Sequence, residues 1–344
     1  MSRSIVVSMF GKHSNRTPFA YKSFTKFFKR NNIVIDNESE LPDIICSGFH
    51  IDIAAEKDWI NSTRNKNPAL KIFIISEEPL WDMTWHKNPF QVNQICNTTG
   101  FEYFYINHFN SEAFNFSDIP YFITTDSKYI SRYLMLLTLY ENFTPSSILS
   151  HWSNTKMLIS CFAERRVDKK YNISKNGFHT HSNFRSILIE QLVGFRGAQI
   201  EGKGWNTNSP RQVLPDWHAD KLAKTLRSSR FMMAIENTDA PNYVTEKVFD
   251  AFSTLSIPVV VESQQKELDN IFGNTAVVSI SNRNIDLIKV LSNVELDMDL
   301  AELYLKNLRT LLNLLRNSEL IEKQISNRTS SLTWEINKAF KNER

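Results

Sequence analysis

Apolar residues along the chain fall into short runs, separated by polar segments whose apolar positions repeat at helical spacing. Residues 4–9, 32–36, 42–47 and 71–76 read as strands, with helical patterns over 19–29 and 52–64 between them. Further short strands are expected over 101–107 and 121–124, and an apolar helix over 129–140. The stretch 141–154 is polar, with Pro145 and several serines, and places a domain boundary there. A second alternating set follows: a strand at 156–162, a helix near 183–193, a strand near 197–201 and a helix around 217–228. Next come a strand at 231–235, a helix opening at Thr245 and a strand ending at Val261. A Leu-rich amphipathic helix over 300–315 and another over 320–340 close the chain, both read as packing on the domains. Alternation of this kind predicts parallel α/β sheets in two domains, 1–148 and 149–344.

Composition narrows the class. The 344 residues suffice for two cores, and 42% hydrophobic with 22% charged residues describes a globular protein. A net charge of +3 without a concentrated basic stripe argues against a nucleic-acid partner. Nine glycines and no Gly-rich phosphate loop exclude the Walker and dinucleotide fingerprints. Cys46, Cys96 and Cys161 are widely spaced, which suits free thiols in a reducing compartment rather than a disulfide framework or structural zinc.

The densest chemistry lies between Arg230 and Val261. A strand, a polar loop and a helix entered at Thr245-Glu246-Lys247 suit an anionic ligand, because free amides and the helix dipole favour a phosphate there. Lys247 adds a point charge and Glu246 an acceptor for sugar hydroxyls, although the same residues also suit a solvated first turn. In the first half, Glu77 and Glu78 follow the strand at 71–76, so both carboxylates leave a strand's carboxyl end. Adjacent acids raise each other's pKa, which suits a general base; an exposed acidic turn is the plain alternative. Trp81, Trp85 and His86 follow closely and form the acceptor-site candidate, since aromatic rings stack on sugar faces. Asp297-Met298-Asp299 matches a metal-binding D-x-D pattern but sits at a helix entrance, where capping is expected.

Glu236-Asn237-Thr238, Tyr243-Val244-Thr245-Glu246-Lys247 and Ile257-Pro258-Val259-Val260 together resemble the donor-binding signature of the α-1,3/4-fucosyltransferases, glycosyltransferase family 10. The resemblance is dense over 227–262, thinner over 156–206 and slight near 76–79. Ile235, Thr238 and Ser256 depart from the usual pattern and leave room for a different sugar. The resemblance implies a GT-B-like fold of two parallel-sheet domains with a cleft between them and C-terminal helices. It implies an inverting transferase that moves fucose from GDP-fucose to a glycan hydroxyl. Acceptor binding would fall to the first domain and donor binding to the second.

By the same resemblance, Glu77 matches the family's catalytic glutamate, with Glu78 second. Arg185 matches an arginine on the donor phosphates, with Arg165 and Arg166 as competitors, and Lys203 in Gly202-Lys203-Gly204 a donor-cleft lysine. Tyr243 is expected near the base or ribose, and Asn237 as a loop anchor or sugar contact. No cofactor or metal is required on this reading, with stimulation by magnesium or manganese left open. A bacterial cytoplasmic setting is implied, with the inner membrane face as an alternative and a cell-surface polysaccharide or lipopolysaccharide as acceptor. Two other functions remain: a transferase using another nucleotide sugar, and a non-catalytic glycan- or nucleotide-binding protein.

Overall fold

Hydrophobic strands with both faces covered organise the chain. The computed structural model describes residues 3–175, 178–281 and 285–341, without the side chains of Trp85 and Lys341. Two compact units are present. The first comprises Met1–Ser127, Ala240–Asn242 and Glu319–Arg344, the second Lys128–Asp239 and Tyr243–Ser318.

In the first unit the described strands are β1 (Ile5–Met9), β2 (Ile33–Ile35), β3 (Ile44–Ser47), β4 (Lys71–Ser76), β5 (Asn93–Ile95) and β6 (Glu102–Asn107). They form one sheet in the order β2-β1-β3-β4-β6-β5, parallel except for β5. All four residues of β3 and five of six in β4 are buried, the near-continuous apolar run that a strand covered on both faces requires. Strand order reverses between β1 and β3, and ligands of such sheets bind beyond the carboxyl ends near that point. Helix Ser318–Lys341 contributes Ile325, Leu332, Ile336 and Ala339 to the cluster holding Phe24, Phe28, Phe73 and Phe114. The last helix therefore packs in the first unit, whereas the sequence reading carries it with the second domain.

The second unit holds β7 (Met157–Phe162), β8 (Ser174–Lys175), β9 (Phe178–Thr180), β10 (Ala198–Glu201), β11 (Ser229–Met233), β12 (Thr238–Asp239), β13 (Ile257–Val261) and β14 (Val278–Ile280). A parallel sheet runs β10-β7-β11-β13-β14, and β12, β9 and β8 form a small antiparallel one. Order reverses between β7 and β11, so the loops after these strands flank the expected ligand position. Helix Glu246–Ser253 is anchored from behind by the fully buried Asp250. That carboxylate accepts from Tyr133 at 2.7 Å and meets His218 Nε2 at 2.8 Å and Lys221 Nζ at 2.7 Å. Burial opposes its charge, but Lys221 and His218 prevail and hold its pKa at about 2.

Three expectations change. The compact units divide at Ser127/Lys128 rather than within the polar stretch 141–154. That stretch contains helix Pro145–Asn154, begun by a Thr144/Ser147 capping box with Pro145 in its first turn. Its Trp152 packs edge-on against Tyr304, with ring centroids 5.1 Å apart. Residues 121–124 form a 3-10 turn instead of a strand, entered from Pro120, with Tyr121, Ile123 and Thr124 buried. The helix expected over 52–64 is two helices, Ile51–Ala55 and Lys57–Lys66.

The glycine before Lys203 answers to a close backbone approach. Gly202 has φ +137, and a Cβ there would lie 2.2 Å from the carbonyl oxygen of Ala163. Gly202→Ala should lower unfolding free energy by roughly 1–3 kcal/mol. A urea midpoint equal to wild type would contradict this close approach.

Candidate functional site

The site in the second unit grows from the loop that follows β11. Ala234 and Ile235 continue the strand into the core, and Glu236 follows with only 2% exposure. An isolated buried carboxylate is costly, so partners surround it. Thr245 donates its backbone N–H at 2.8 Å and its hydroxyl at 2.8 Å to Oε1, and Lys247 Nζ lies 2.7 Å from Oε2. The anion at the start of helix Glu246–Ser253 is thus Glu236 itself. Burial raises the Glu236 pKa, against the pull of Lys247. Burial also disfavours charge on Lys247, but Glu236 and Glu246 overcome it and raise its pKa. For Glu246, Lys247 and Lys221 outweigh burial and hold the carboxyl below its ordinary range.

Arg185 secures the other side of the loop. It lies on helix Ser182–Glu190, 4% exposed, and donates to the Ile235 carbonyl and to Asn237 Oδ1, each at 2.8 Å. Its Nε is buried without a hydrogen-bond partner among the described residues. Burial and nearby Arg166 lower its pKa to about 10, so it stays charged at neutral pH. The Asn237 carbonyl accepts from the His181 and Ser182 amides at 2.8 and 3.2 Å, satisfying the first amides of that helix. Gln264 accepts from the Glu236 amide at 3.2 Å and donates to the Ala234 carbonyl at 2.9 Å. The loop after β7 adds Arg166, 7% exposed and paired with Glu164 at 2.8 Å.

Arg185, Asn237, Glu246 and Lys247 therefore share one neighbourhood, at the strand-order reversal of a parallel sheet. Tyr243 is buried on the same loop at 6% exposure. Lys203 is exposed on a turn after β10, where its carbonyl accepts from the Arg165 amide at 2.8 Å. Asp297 caps helix Met298–Arg316 by accepting from the Leu300 amide at 2.8 Å, as its place at a helix entrance predicts.

In the first unit, Glu77 and Glu78 leave the carboxyl end of β4 and enter different surroundings. Glu78 pairs with Arg16 at 2.6 Å. Glu77 accepts from Tyr21 on Oε2 at 2.5 Å and from Tyr121 on Oε1. Burial raises its pKa to about 7, although both phenols favour the charged form; the neighbouring Glu78 adds less than burial does. The upward shift expected from two adjacent acids thus has burial as its main cause. His86 is 8% exposed, meets the Tyr103 hydroxyl through Nε2 at 2.5 Å and stacks on Tyr105 at 4.4 Å, a packed position. Trp81 is half-buried, and the Trp85 side chain lies outside the described residues.

Sequence reasoning passed over Tyr21, Tyr121, Arg16, Glu236 and Gln264 as site residues. Tyr21 and Tyr121 lie 56 and 44 residues from Glu77, so no local pattern links them. Glu236 stands inside the motif, and the apolar run before it, Phe231 to Ile235, is the available sign of burial.

The buried cations and acids of this loop lie beside the strand-order reversal of a parallel α/β sheet, where open α/β sheets hold their ligands. Residues 170–330 match the family described as glycosyltransferase family 10 (fucosyltransferase), C-terminal part. That segment holds Arg185, Asn237, Glu246 and Lys247. Two solved structures are similar over most of the chain. A crystal structure of an alpha1,3-fucosyltransferase with GDP is 13% identical, covering 96% of this chain and 90% of that one at a TM-score of 0.37. One of an alpha1,3-fucosyltransferase with GDP-fucose is 11% identical, covering 97% and 91% at 0.36. No curated protein matches the chain. Among the described residues, no helix is long and apolar enough to cross a membrane, and no three His, Cys, Asp or Glu side chains gather to hold a metal ion.

Proposed function

We propose that this protein moves fucose from GDP-fucose to a hydroxyl of a glycan acceptor, with inversion and an α-1,3-type linkage. A GlcNAc-containing cell-surface polysaccharide or lipopolysaccharide is the acceptor class. The observation that carries the reading is the Arg185–Asn237–Glu236–Lys247 cluster, which lies within the segment matching the family. Arg185 and Lys247 supply positive charge toward the diphosphate, and Glu246 an acceptor for ribose or sugar hydroxyls. Glu77 takes the proton from the acceptor hydroxyl while that oxygen bonds to the anomeric carbon. The bond from this carbon to the diphosphate breaks, and GDP leaves with the electron pair. Fixed cations stabilise that leaving charge, so the proposed reaction needs no metal.

Binding by mass action tests the donor class. GDP or GDP-fucose at 100 times its dissociation constant should stabilise the fold by about 2.7 kcal/mol, seen as a raised melting temperature. Stabilisation by a uridine or cytidine nucleotide sugar, with none by GDP or GDP-fucose, would move the reading to another transferase of the same architecture.

A further inference from the structure

The carboxylate of Glu77 is fastened at both oxygens by phenols from separate segments. Tyr21 lies at the entrance of helix Lys22–Arg30, and Tyr121 opens the turn Tyr121–Thr124. Each phenol donates to a different oxygen of the one carboxylate. Burial and the charge of Glu77 raise both phenol pKa values, so the hydroxyls stay protonated and act as donors. The Tyr121 ring packs against Phe114 and Phe24, with centroids 4.9 and 5.9 Å away. Arg328, from the last helix, is 2% exposed and lies 5.7 Å from the centre of that ring. It donates to Thr124 Oγ1 at 2.7 Å and to the Ile119 carbonyl, gripping the segment that bears Tyr121 on both sides.

We propose that Tyr21 and Tyr121 are positioning residues, a phenolic clamp that orients the Glu77 carboxylate and favours its ionised form, with Arg328 bracing the Tyr121 arm. The inference rests on Glu77 being the base. Two donors occupy one lone pair on each oxygen and leave the others toward an incoming hydroxyl proton. Hydrogen bonds to the charged form offset part of the burial that disfavours it. Without the clamp, the carboxylate would be protonated over more of the working pH range and free to rotate.

Other ionisable groups near Glu77 are accounted for. Arg16 is engaged by Glu78. Buried His108, hydrogen-bonded to the Glu77 backbone, is pushed down to about 4 and stays neutral at pH 7. The Cys46 thiol, on β3, is pushed up by burial and by Glu77, and stays neutral as well. The two phenols donate directly to the Glu77 carboxylate, one to each oxygen.

Tyr21→Phe, Tyr121→Phe and the double variant test the clamp in the full chain, because each keeps its ring and loses only the hydroxyl. Carbon-13 NMR of labelled glutamate carboxyls, with the Glu77 signal identified by its loss in Glu77→Gln, follows the titration without any ligand. Each single variant should raise the Glu77 midpoint by about one pH unit, and the double variant by more. The acid limb of GDP-fucose turnover should move by the same amount. In a single variant the loss should be about fivefold near pH 7, approach tenfold at lower pH and recover at about pH 9. Arg328→Met should raise the midpoint in the wild-type background but add little in Tyr121→Phe. A folded double variant with an unchanged midpoint overturns the clamp. Should Glu77→Gln retain full turnover, the base assignment falls, while the NMR midpoints still decide the clamp.

Discussion

Glu77→Gln is expected to lower turnover by about 10²- to 10⁴-fold while donor affinity stays within about twofold of wild type. The amide preserves the size of the side chain but cannot take a proton from a hydroxyl. Its neighbour cannot substitute, because Glu78 is directed into an ion pair with Arg16. Wild-type activity should also fall as pH drops through about 7, since the base acts only when ionised. Stability should respond in the opposite sense. The folded-state pKa of Glu77 lies above its unfolded value, so its contribution to stability is complete below the ordinary carboxylate range. That contribution is lost as pH rises through about 7. Glu77→Gln should therefore melt higher than wild type at about pH 8, as expected of a group held for chemistry rather than for the fold. Equal turnover by wild type and variant, measured as GDP release over a pH series, would remove Glu77 from the mechanism.

Lys247→Met should cost more in stability than other substitutions in the donor loop, about 3 kcal/mol at pH 8, because it strands Glu236 as a buried anion. The hydrogen bonds from Thr245 remain, but the compensating charge at 2.7 Å is gone. Glu236 would then bind a proton more tightly in the folded state than in the unfolded one. The loss should accordingly shrink as pH falls toward 5 and grow as pH rises. Adding Glu236→Gln should recover part of the stability without restoring affinity for GDP. Urea denaturation of the single and double variants at two pH values measures both effects. A pH-independent loss, or a double variant no more stable than Lys247→Met, would contradict the pairing.

Much of the parallel α/β core was legible because covered strands must be apolar along their length, as in β4 and β13. Elements whose signal lies in capping rather than hydrophobicity were harder to see. Helix Pro145–Asn154 reads as a polar linker until Thr144, Pro145 and Ser147 are taken together as a start signal. The last helix returns to the first unit through apolar positions spread along an otherwise polar sequence, and nothing in that spacing names the partner.

The loop after β11 was readable as a motif, yet its inner logic was not. Arg185 and Glu236 lie 51 positions apart in the chain, and the bonds of Arg185 to Ile235 and Asn237 exist only once the sheet has formed. The departures from the family pattern also gain a physical reading. Ser256 is fully buried, and its hydroxyl donates to the Ser229 carbonyl at 2.7 Å. Ile235 is equally buried, and its carbonyl is held by Arg185. Both positions answer to packing beneath the loop, which weakens them as determinants of sugar choice.

The most direct measurement is transfer itself: GDP-fucose labelled in the sugar, a panel of glycan acceptors, and quantitation of labelled glycan beside released GDP. The account predicts labelled product with a GlcNAc-containing acceptor from the wild-type protein, and a loss of about 10²-fold or more in Glu77→Gln. Transfer from a different nucleotide sugar, with none from GDP-fucose on any acceptor, would contradict it.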